Sequence, residues 1–573
     1  MSAIAQGRED LARWREAFPT NFFTCDTNLQ RVLRFYDPQH YDRYEADLVA
    51  FGRAVATVID PAAAVNDRPH NHPRLDAWDG IGRRTEAIEF HPSYHEAGRP
   101  AYEAGLLALA AEPGHVLQQS ALFYLLTQAG EMGHACPIVC TLGLIRALQA
   151  RGSDALKATY LPPLLERDYD RKHTASQFLT EVQGGSDVGA NAVEARPDET
   201  RPGVWLLRGE KWFCSVANAD QMLVTARPRG AAAGTRGLGA FLVPRRLPDG
   251  SLNAFRIRRL KTKFGTRTMA SGEIDFEDAV AYPIGTLEDG FKTVVELVLN
   301  TSRWANALGS AGLLRRAYVE AWTFAHHRRA FGDRIAHYPL VREALAEIKS
   351  DLYAMLASTL RLSYLLDRMD RGEATDQERA VHRLLVNINK YTTSVQASLG
   401  IRRAQEILGG NGAIEDFSIV PRLYRDAVVF ESWEGSHNVL CLQAGRDMQR
   451  YDLHRHLFAY LAALVDGVSH PDLAEAQDRI LGLMEAVRTR VDQVVNGGSV
   501  FHQTHIRRVI DQLTPLVQAT CLLAEADHEL RMGMATDKPE ALAFFLDRHL
   551  RPDYDPMSDT AYPERLARLV AEL

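Results

Sequence analysis

The groups in this chain that could do chemistry are few and scattered. Gly409-Gly410-Asn411-Gly412 could offer backbone N–H groups to a phosphate. It follows the helical run RAQEIL rather than a strand, so its local reading is a helix C-cap and turn. Trp433-Glu434-Gly435-Ser436 places one carboxylate between an aromatic and a hydroxyl. Burial beside Trp433 would raise that carboxyl above its ordinary range. The competing local reading is a capping-region carboxylate ahead of the apolar helix HNVLCLQ. Arg328, in the basic stretch HHRR, reads locally as a solvated helix end. His70 and His72, His91 and His95, and His326 and His327 lack a companion Cys or carboxylate at ligand spacing, so no metal is expected. There is no GxGxxG after a strand, no GxxxxGK[ST], no HExxH and no GxSxG.

The elements that must position such groups fall into three textures. The chain has 573 residues, 46% hydrophobic and 24% charged, which implies several globular domains and excludes disorder. Residues 1–172 read as an N-terminal helical domain, with Ala/Leu-rich runs such as AYEAGLLALAAE. Residues 173–287 read as a middle antiparallel β domain: Phe255–Arg258 and Glu273–Glu277 alternate apolar and polar, with turn signals such as Pro248-Asp249-Gly250 between runs. No helix-length segment interrupts them, which argues against a doubly wound fold. Residues 288–445 read as a four-helix bundle. There Val341, Leu345, Ile348, Leu352, Met355, Leu356, Leu362 and Leu366 predict one long helix with Pro339 at its start. Residues 446–573 read as a helical extension.

Net charge is −7, which favours neither nucleic acid nor an anionic membrane. The extension holds 14 basic and 20 acidic residues, so any affinity for DNA is expected to be weak and steeply salt-dependent. No run of about 18 uncharged apolar residues stands out, so no membrane span is expected. Six cysteines without a CxxC pair, and a charged N-terminal stretch, lead to the expectation of a cytoplasmic protein.

Four separated segments together resemble the acyl-CoA dehydrogenase flavoprotein family. Thr180-Glu181-Val182-Gln183-Gly184-Gly185-Ser186-Asp187 resembles its TExxxGSD loop, and Gly209-Glu210-Lys211-Trp212-Phe213-Cys214-Ser215 its GxKxWIT strand. Arg328-Arg329-Ala330-Phe331-Gly332 is similar to its RxxFG. Gly409-Gly410-Asn411-Gly412, Arg425-Asp426 and Glu434-Gly435-Ser436 follow its GGxG…RD…EG[TS] order. QGGSDV, WEGS, Cys136-Pro137, the 82–95 segment and the extension resemble the family's adaptive-response (AidB-like) branch.

The resemblance implies an FAD enzyme of fatty acid metabolism that oxidises the Cα–Cβ bond of an acyl-CoA thioester. A base takes the α-proton while a hydride leaves for flavin N5. It implies Glu434 as that base. It implies Leu179, Thr180, Phe213 and Ser215 around the flavin ring, with Phe213 and Ser215 where the family has Trp and Thr. Ser436 and Asn438 fall near the adenosine side. Arg328, Phe331, Gly409 and Gly410 fall at the FAD pyrophosphate, the first two reaching across a subunit interface of a dimer or tetramer. Ser186, Arg303, Trp433 and Gly435 fall toward the substrate, with Ser186 shared with the cofactor. Two departures stand out: Glu406 replaces the usual Gln before the glycine turn, and Trp433 replaces Tyr and narrows the acyl cavity. An electron-transfer flavoprotein is the implied acceptor. The branch also implies an alternative, a DNA-associated protective flavoprotein with little dehydrogenase turnover. Retention of Glu434 counts against a third, an oxygen-using relative.

Overall fold

Helix signals in the sequence are used where they stand in the computed structural model, which describes residues 2–551 and 553–573. The long periodic stretch forms one helix, Pro339–Asp370, with Pro339 at the first position, where a missing N–H leaves no bond unmade. Its neighbour Asp376–Ile407 starts on a capping box: Thr375 and Glu378 each accept the other's backbone N–H through their side chains. The chain folds into two compact units.

The first unit contains residues 1–56, 116–130 and 306–573. Around helices Pro339–Asp370 and Asp376–Ile407 it gathers Val420–Ser432, His437–Tyr451 and the extension helices Leu453–Asp466, Ala474–Val495, Ser499–Arg531 and Lys538–Leu550. The extension is knitted into the bundle. The buried amides of Gln396 and Gln518 donate to each other at 3.0 and 2.8 Å, and Asp351 accepts from Arg548 at 3.0 Å. Gly445, on His437–Tyr451, allows a close approach to Ser499–Arg531, since a Cβ there would lie 2.5 Å from Nε2 of His502.

The second unit, residues 57–115 and 131–305, holds the sheet. Its strands are β1 (Arg74–Trp78), β2 (Arg84–Glu89), β3 (Ala175–Phe178), β4 (Glu194–Pro197), β5 (Trp205–Ser215), β6 (Gln221–Pro228), β7 (Gly239–Pro244), β8 (Phe255–Leu260) and β9 (Ser271–Pro283). Pairings β6–β4–β5–β9–β7–β6 close a ring, and β8 adds to β9. Closure leaves fewer unpaired edges. The apolar faces of the period-two strands fill the ring with Phe178, Leu207, Phe241, Phe255, Ile274 and Phe276. Most pairs are antiparallel, as the alternation predicts, but β3–β6 and β4–β6 are parallel.

One expectation needs correction. The segment read as an N-terminal helical domain contains the hairpin β1–β2, whose Leu75 and Ile88 pack on the β core. The signal was Asp79-Gly80: Asp79 Oδ1 accepts the N–H groups of Ile81 and Arg83 and closes the turn. The helical run Tyr41–Asn66 does have an 18-residue window of mean hydropathy 1.6, apolar and long enough to cross a membrane by composition. Its Tyr41, Tyr44, Leu48, Phe51, Val55 and Ile59 recur every three or four residues and are buried, so that face is committed to protein packing.

Candidate active site

In the sheet unit, the residues expected around a flavin ring come from two adjoining segments. Trp212 N–H donates to Thr180 O at 2.9 Å, tying the end of β5 to the loop after β3. Lys211, wholly buried, donates from Nζ to Glu181 Oε1 at 2.8 Å and to Leu179 O at 3.1 Å. Glu181 also accepts from the N–H groups of Ala192 (2.6 Å) and Val193 (3.2 Å). Burial pulls the Lys211 ammonium down to about 8. Burial pushes the Glu181 carboxyl up, but Lys211 and the Ala192 N–H pull harder and leave it below the usual carboxylate range.

The pairing of β5 with β9 breaks register between Lys211 and Cys214. Such a bulge re-aims side chains, and Phe213 is 56% exposed at the break. Ser215 is half-buried, and Ser186 is exposed on the glycine-rich loop, where Gly185 approaches Thr180: a Cβ would lie 2.6 Å from its Oγ1. Arg303 is buried at the start of helix Asn300–His327. The structure therefore ties Leu179 and Thr180 to the Lys211–Trp212 segment of β5, next to Phe213 in sequence, and Gly185 brings the loop that carries Ser186 close to Thr180.

In the helical unit, Glu434 stands between helices Val420–Ser432 and His437–Tyr451. Its φ is +59°, a left-handed conformation that costs a non-glycine residue about 1–2 kcal/mol. Gly435 follows at φ +113°. The loop is held on both sides of Glu434, because buried Lys390 donates from Nζ to Glu431 O at 3.0 Å and Gly435 O at 3.1 Å. Trp433 stacks on Phe430 at 5.1 Å, and Phe430 O accepts from Asn306 at 3.1 Å. Glu434 is half-buried, whereas Ser436 and Asn438 are exposed. Ser436 takes the N-cap backbone position, but its hydroxyl makes no cap bond and stays available to a ligand.

Gly409 and Gly410 are exposed after helix Asp376–Ile407, with Gly409 at φ +63° and no atom within 4 Å of either Cβ position. The local C-cap reading and the open N–H cradle are thus compatible, although exposed Glu406 adds a negative charge beside the turn. Arg328 ends helix Asn300–His327 and leads into a hairpin in which Arg329–Ala330 pairs with Asp333–Arg334. Phe331 and Gly332 turn it with φ values of +53° and +93°, the type I′ pattern. Phe331 is 98% exposed at the tip. Buried Asp10 accepts the Arg329 N–H at 3.1 Å and anchors the hairpin base.

Each unit by itself carries groups that suit a part of FAD. The sheet unit offers hydroxyls and an exposed aromatic face; the helical unit offers a glycine turn open to an anion and an arginine fork. Lys390 escaped the sequence reading, although it is the only charged residue between Arg383 and Arg402. A cation in such an apolar stripe needs a partner.

Comparison with known proteins agrees with this architecture. Residues 15–171 match the adaptive response protein AidB N-terminal domain, 176–279 the acyl-CoA dehydrogenase middle domain, and 288–449 the acyl-CoA dehydrogenase C-terminal domain. The chain is similar to putative acyl-CoA dehydrogenase AidB of Escherichia coli K12, at 34% identity over 68% of this chain and 72% of that one. It is 30% identical to acyl-CoA dehydrogenase family member 11 of Caenorhabditis elegans, over 74% and 70%. The solved Caenorhabditis elegans ACDH-11 in complex with C11-CoA superposes with a TM-score of 0.85 at 24% identity, covering 91% of this chain and 90% of that one. The chain belongs to the acyl-CoA dehydrogenase family of FAD-dependent oxidoreductases, and its N-terminal domain is that of the AidB-like branch.

Proposed function

We propose that the protein catalyses α,β-dehydrogenation of an acyl-CoA thioester, with Glu434 as the base that takes the α-proton. The observation that carries this reading is the backbone of Glu434: a half-buried carboxylate held in a strained conformation by Lys390. Strain of this kind persists where the surroundings over-determine it, and it gathers at active sites. The C11-CoA complex of the worm relative supports a thioester substrate. FAD, when bound, supplies the oxidant that accepts the hydride from Cβ. Leu179, Thr180, Phe213 and Ser215 would hold its ring, and Gly409, Gly410 and Arg328 its phosphates. Ser436 and Asn438 would take its adenosine side, and Ser186, Arg303, Trp433 and Gly435 would border the thioester. Trp433, fixed against Phe430, would limit the acyl chain.

The exposed Phe331 hairpin supports a homo-oligomer, dimer or tetramer, in which Arg328 and Phe331 complete a neighbour's cofactor site. An electron-transfer flavoprotein is the proposed acceptor and the cytoplasm the proposed compartment. The DNA-associated alternative gains nothing from the extension. Its Arg479, Arg548, Arg565, Arg568 and Lys538 are paired with Asp547, Asp351, Asp559, Glu540 and Glu525, and phosphate contacts would have to displace those carboxylates.

The test is anaerobic flavin bleaching by a panel of acyl-CoAs, comparing wild type with Glu434→Gln. The amide preserves size and cannot accept the proton, so bleaching slows by about 10²–10⁴ with flavin content retained. An unslowed Glu434→Gln would remove Glu434 as the base. A wild type that no acyl-CoA bleaches would remove the dehydrogenase reading.

A further inference from the structure

The helical extension reaches the loop that carries Glu434. Tyr391, on helix Asp376–Ile407, is buried. Its hydroxyl donates to Asp511 Oδ1 at 2.6 Å and accepts from Arg507 Nε at 2.9 Å. The Arg507 guanidinium also lies 5.4 Å from the Tyr391 ring centre. Both Arg507 and Asp511 belong to extension helix Ser499–Arg531, one turn apart on one face. Arg507 is therefore no merely solvated residue of a basic pair with Arg508.

The Tyr391 ring also meets the helix that leaves the Glu434 loop. Its centre lies 4.9 Å from that of His437, the first residue of the helix that follows Glu434. The preceding residue of the same bundle helix, Lys390, holds the carbonyls of Glu431 and Gly435. Adjacent side chains 390 and 391 thus grip the loop, one through its backbone and one through its exit helix, and the extension fixes the second grip. Gly445 provides an independent contact further along the exit helix, where the backbone closes on His502 of the extension. Ser436 gives the exit helix no side-chain cap, so its start depends on these outside contacts.

We propose that Arg507 and Asp511 are positioning residues for Glu434, acting through Tyr391 and His437, so that the extension sets the geometry of the base. This rests on Glu434 being the base. The physical reason is the backbone of the loop. A left-handed glutamate next to a φ of +113° is not self-supporting, and a shift of a fraction of an ångström misplaces a carboxylate that must meet a C–H bond. A buried ring tied at its polar end by two partners moves less than one held by packing alone. Burial first, then the charges of Lys390 and Arg507, hold the His437 imidazole down at about 4, so it meets Tyr391 as a neutral ring.

The experiment uses the full chain loaded with FAD, and the same variants without substrate. In Arg507→Met/Asp511→Ala, the rate of flavin reduction falls about 10- to 100-fold, while KM changes less than twofold and flavin content is retained. Amide hydrogen exchange over 433–438 rises in the same variant, a readout independent of turnover. Tyr391→Phe, which keeps the ring and leaves the fold undisturbed, shifts rate and exchange in the same direction. Asp511→Asn still accepts the Tyr391 hydroxyl and restores most of the rate; Arg508→Met matches wild type. Wild-type rate and exchange in the double variant overturn the proposal. So does a loss that Asp511→Asn fails to rescue, or exchange that rises along all of Ser499–Arg531 rather than at the loop. Failure of Glu434 as base is read separately, from Glu434→Gln, because the exchange measurement needs no base.

Discussion

Lys211 Nζ lies 2.8 Å from Glu181 Oε1, and both side chains are buried. Each residue comes from a different sequence motif, one on β5 and one after β3, and together they lock two segments that Trp212 N–H also joins through Thr180 O. The pair does not itself present to a ligand. Its second contact, Lys211 to Leu179 O, fixes the backbone of a residue proposed to touch the flavin.

Breaking this pair from one side is therefore costly. Lys211→Met leaves Glu181 charged and buried with only N–H partners, and unfolding free energy falls by about 3–5 kcal/mol. Adding Glu181→Leu recovers a large part of that loss, because the uncompensated charge is gone. Denaturant unfolding of the two variants decides it; a double variant no more stable than the single one would contradict the account. Flavin content falls in both, since Leu179 and Thr180 lose their anchor.

Much of the architecture was legible from residue periodicity. The three-or-four spacing from Val341 to Leu366 became one helix, and the alternation at 255–258 and 273–277 became β8 and β9. Hairpin β1–β2 escaped because its Asp79-Gly80 turn lies in a charged stretch beside helical neighbours. The proposed site was legible only through the family resemblance, since no local rule distinguishes Glu434 from a capping carboxylate. What no pattern could announce is the backbone sign at Glu434 and Phe331. A left-handed φ on a glutamate or a phenylalanine is set by tertiary contacts that overrule local preference. Lys390 and Tyr391 act at a distance in sequence for the same reason.

His437 makes stability depend on acid. Its folded value is about 4 and its ordinary value about 6.5. Between these, the unfolded chain binds a proton that the folded chain refuses, so the folded state weakens as pH drops from 6.5 toward 4. The full penalty, reached below pH 4, is on the order of 2–3 kcal/mol. Replacing the ring in His437→Gln removes that part of the slope. Chemical unfolding at pH 7 and pH 4.5 measures it, and parallel losses in the two proteins would assign the acid sensitivity elsewhere.

The exposed hairpin separates folding from assembly. Phe331 is a poor residue for a type I′ turn, and Asn before Gly332 is the preferred one. Phe331→Asn keeps the hairpin and leaves thermal stability unchanged or raised by up to about 1 kcal/mol. It removes the aromatic tip, so light scattering shows a smaller assembly at low micromolar concentration and purified protein carries less flavin. A Phe331→Asn protein with wild-type mass and full flavin would show that the tip completes no neighbour's site.

The same conformational argument applies to the proposed base, Glu434, where strain and function can be pulled apart. At φ +59°, glycine sits without the left-handed penalty, while a β-branched side chain suffers most. Glu434→Gly and Glu434→Val both lack a proton acceptor, so both lose substrate-driven flavin reduction by the same factor as Glu434→Gln. Their stabilities diverge: Glu434→Gly exceeds Glu434→Val by about 1–2 kcal/mol, because only the second must still pay the steric cost of the turn. Thermal unfolding of the three apo variants gives the ordering, with Glu434→Gln between the extremes because it keeps an unbranched side chain. If Glu434→Val is as stable as Glu434→Gly, the loop relaxes freely and the grip of Lys390 and Tyr391 does not hold it in the left-handed form. If the ordering holds and all three are inactive, the carboxylate is retained against its own conformational preference, as a positioned base requires.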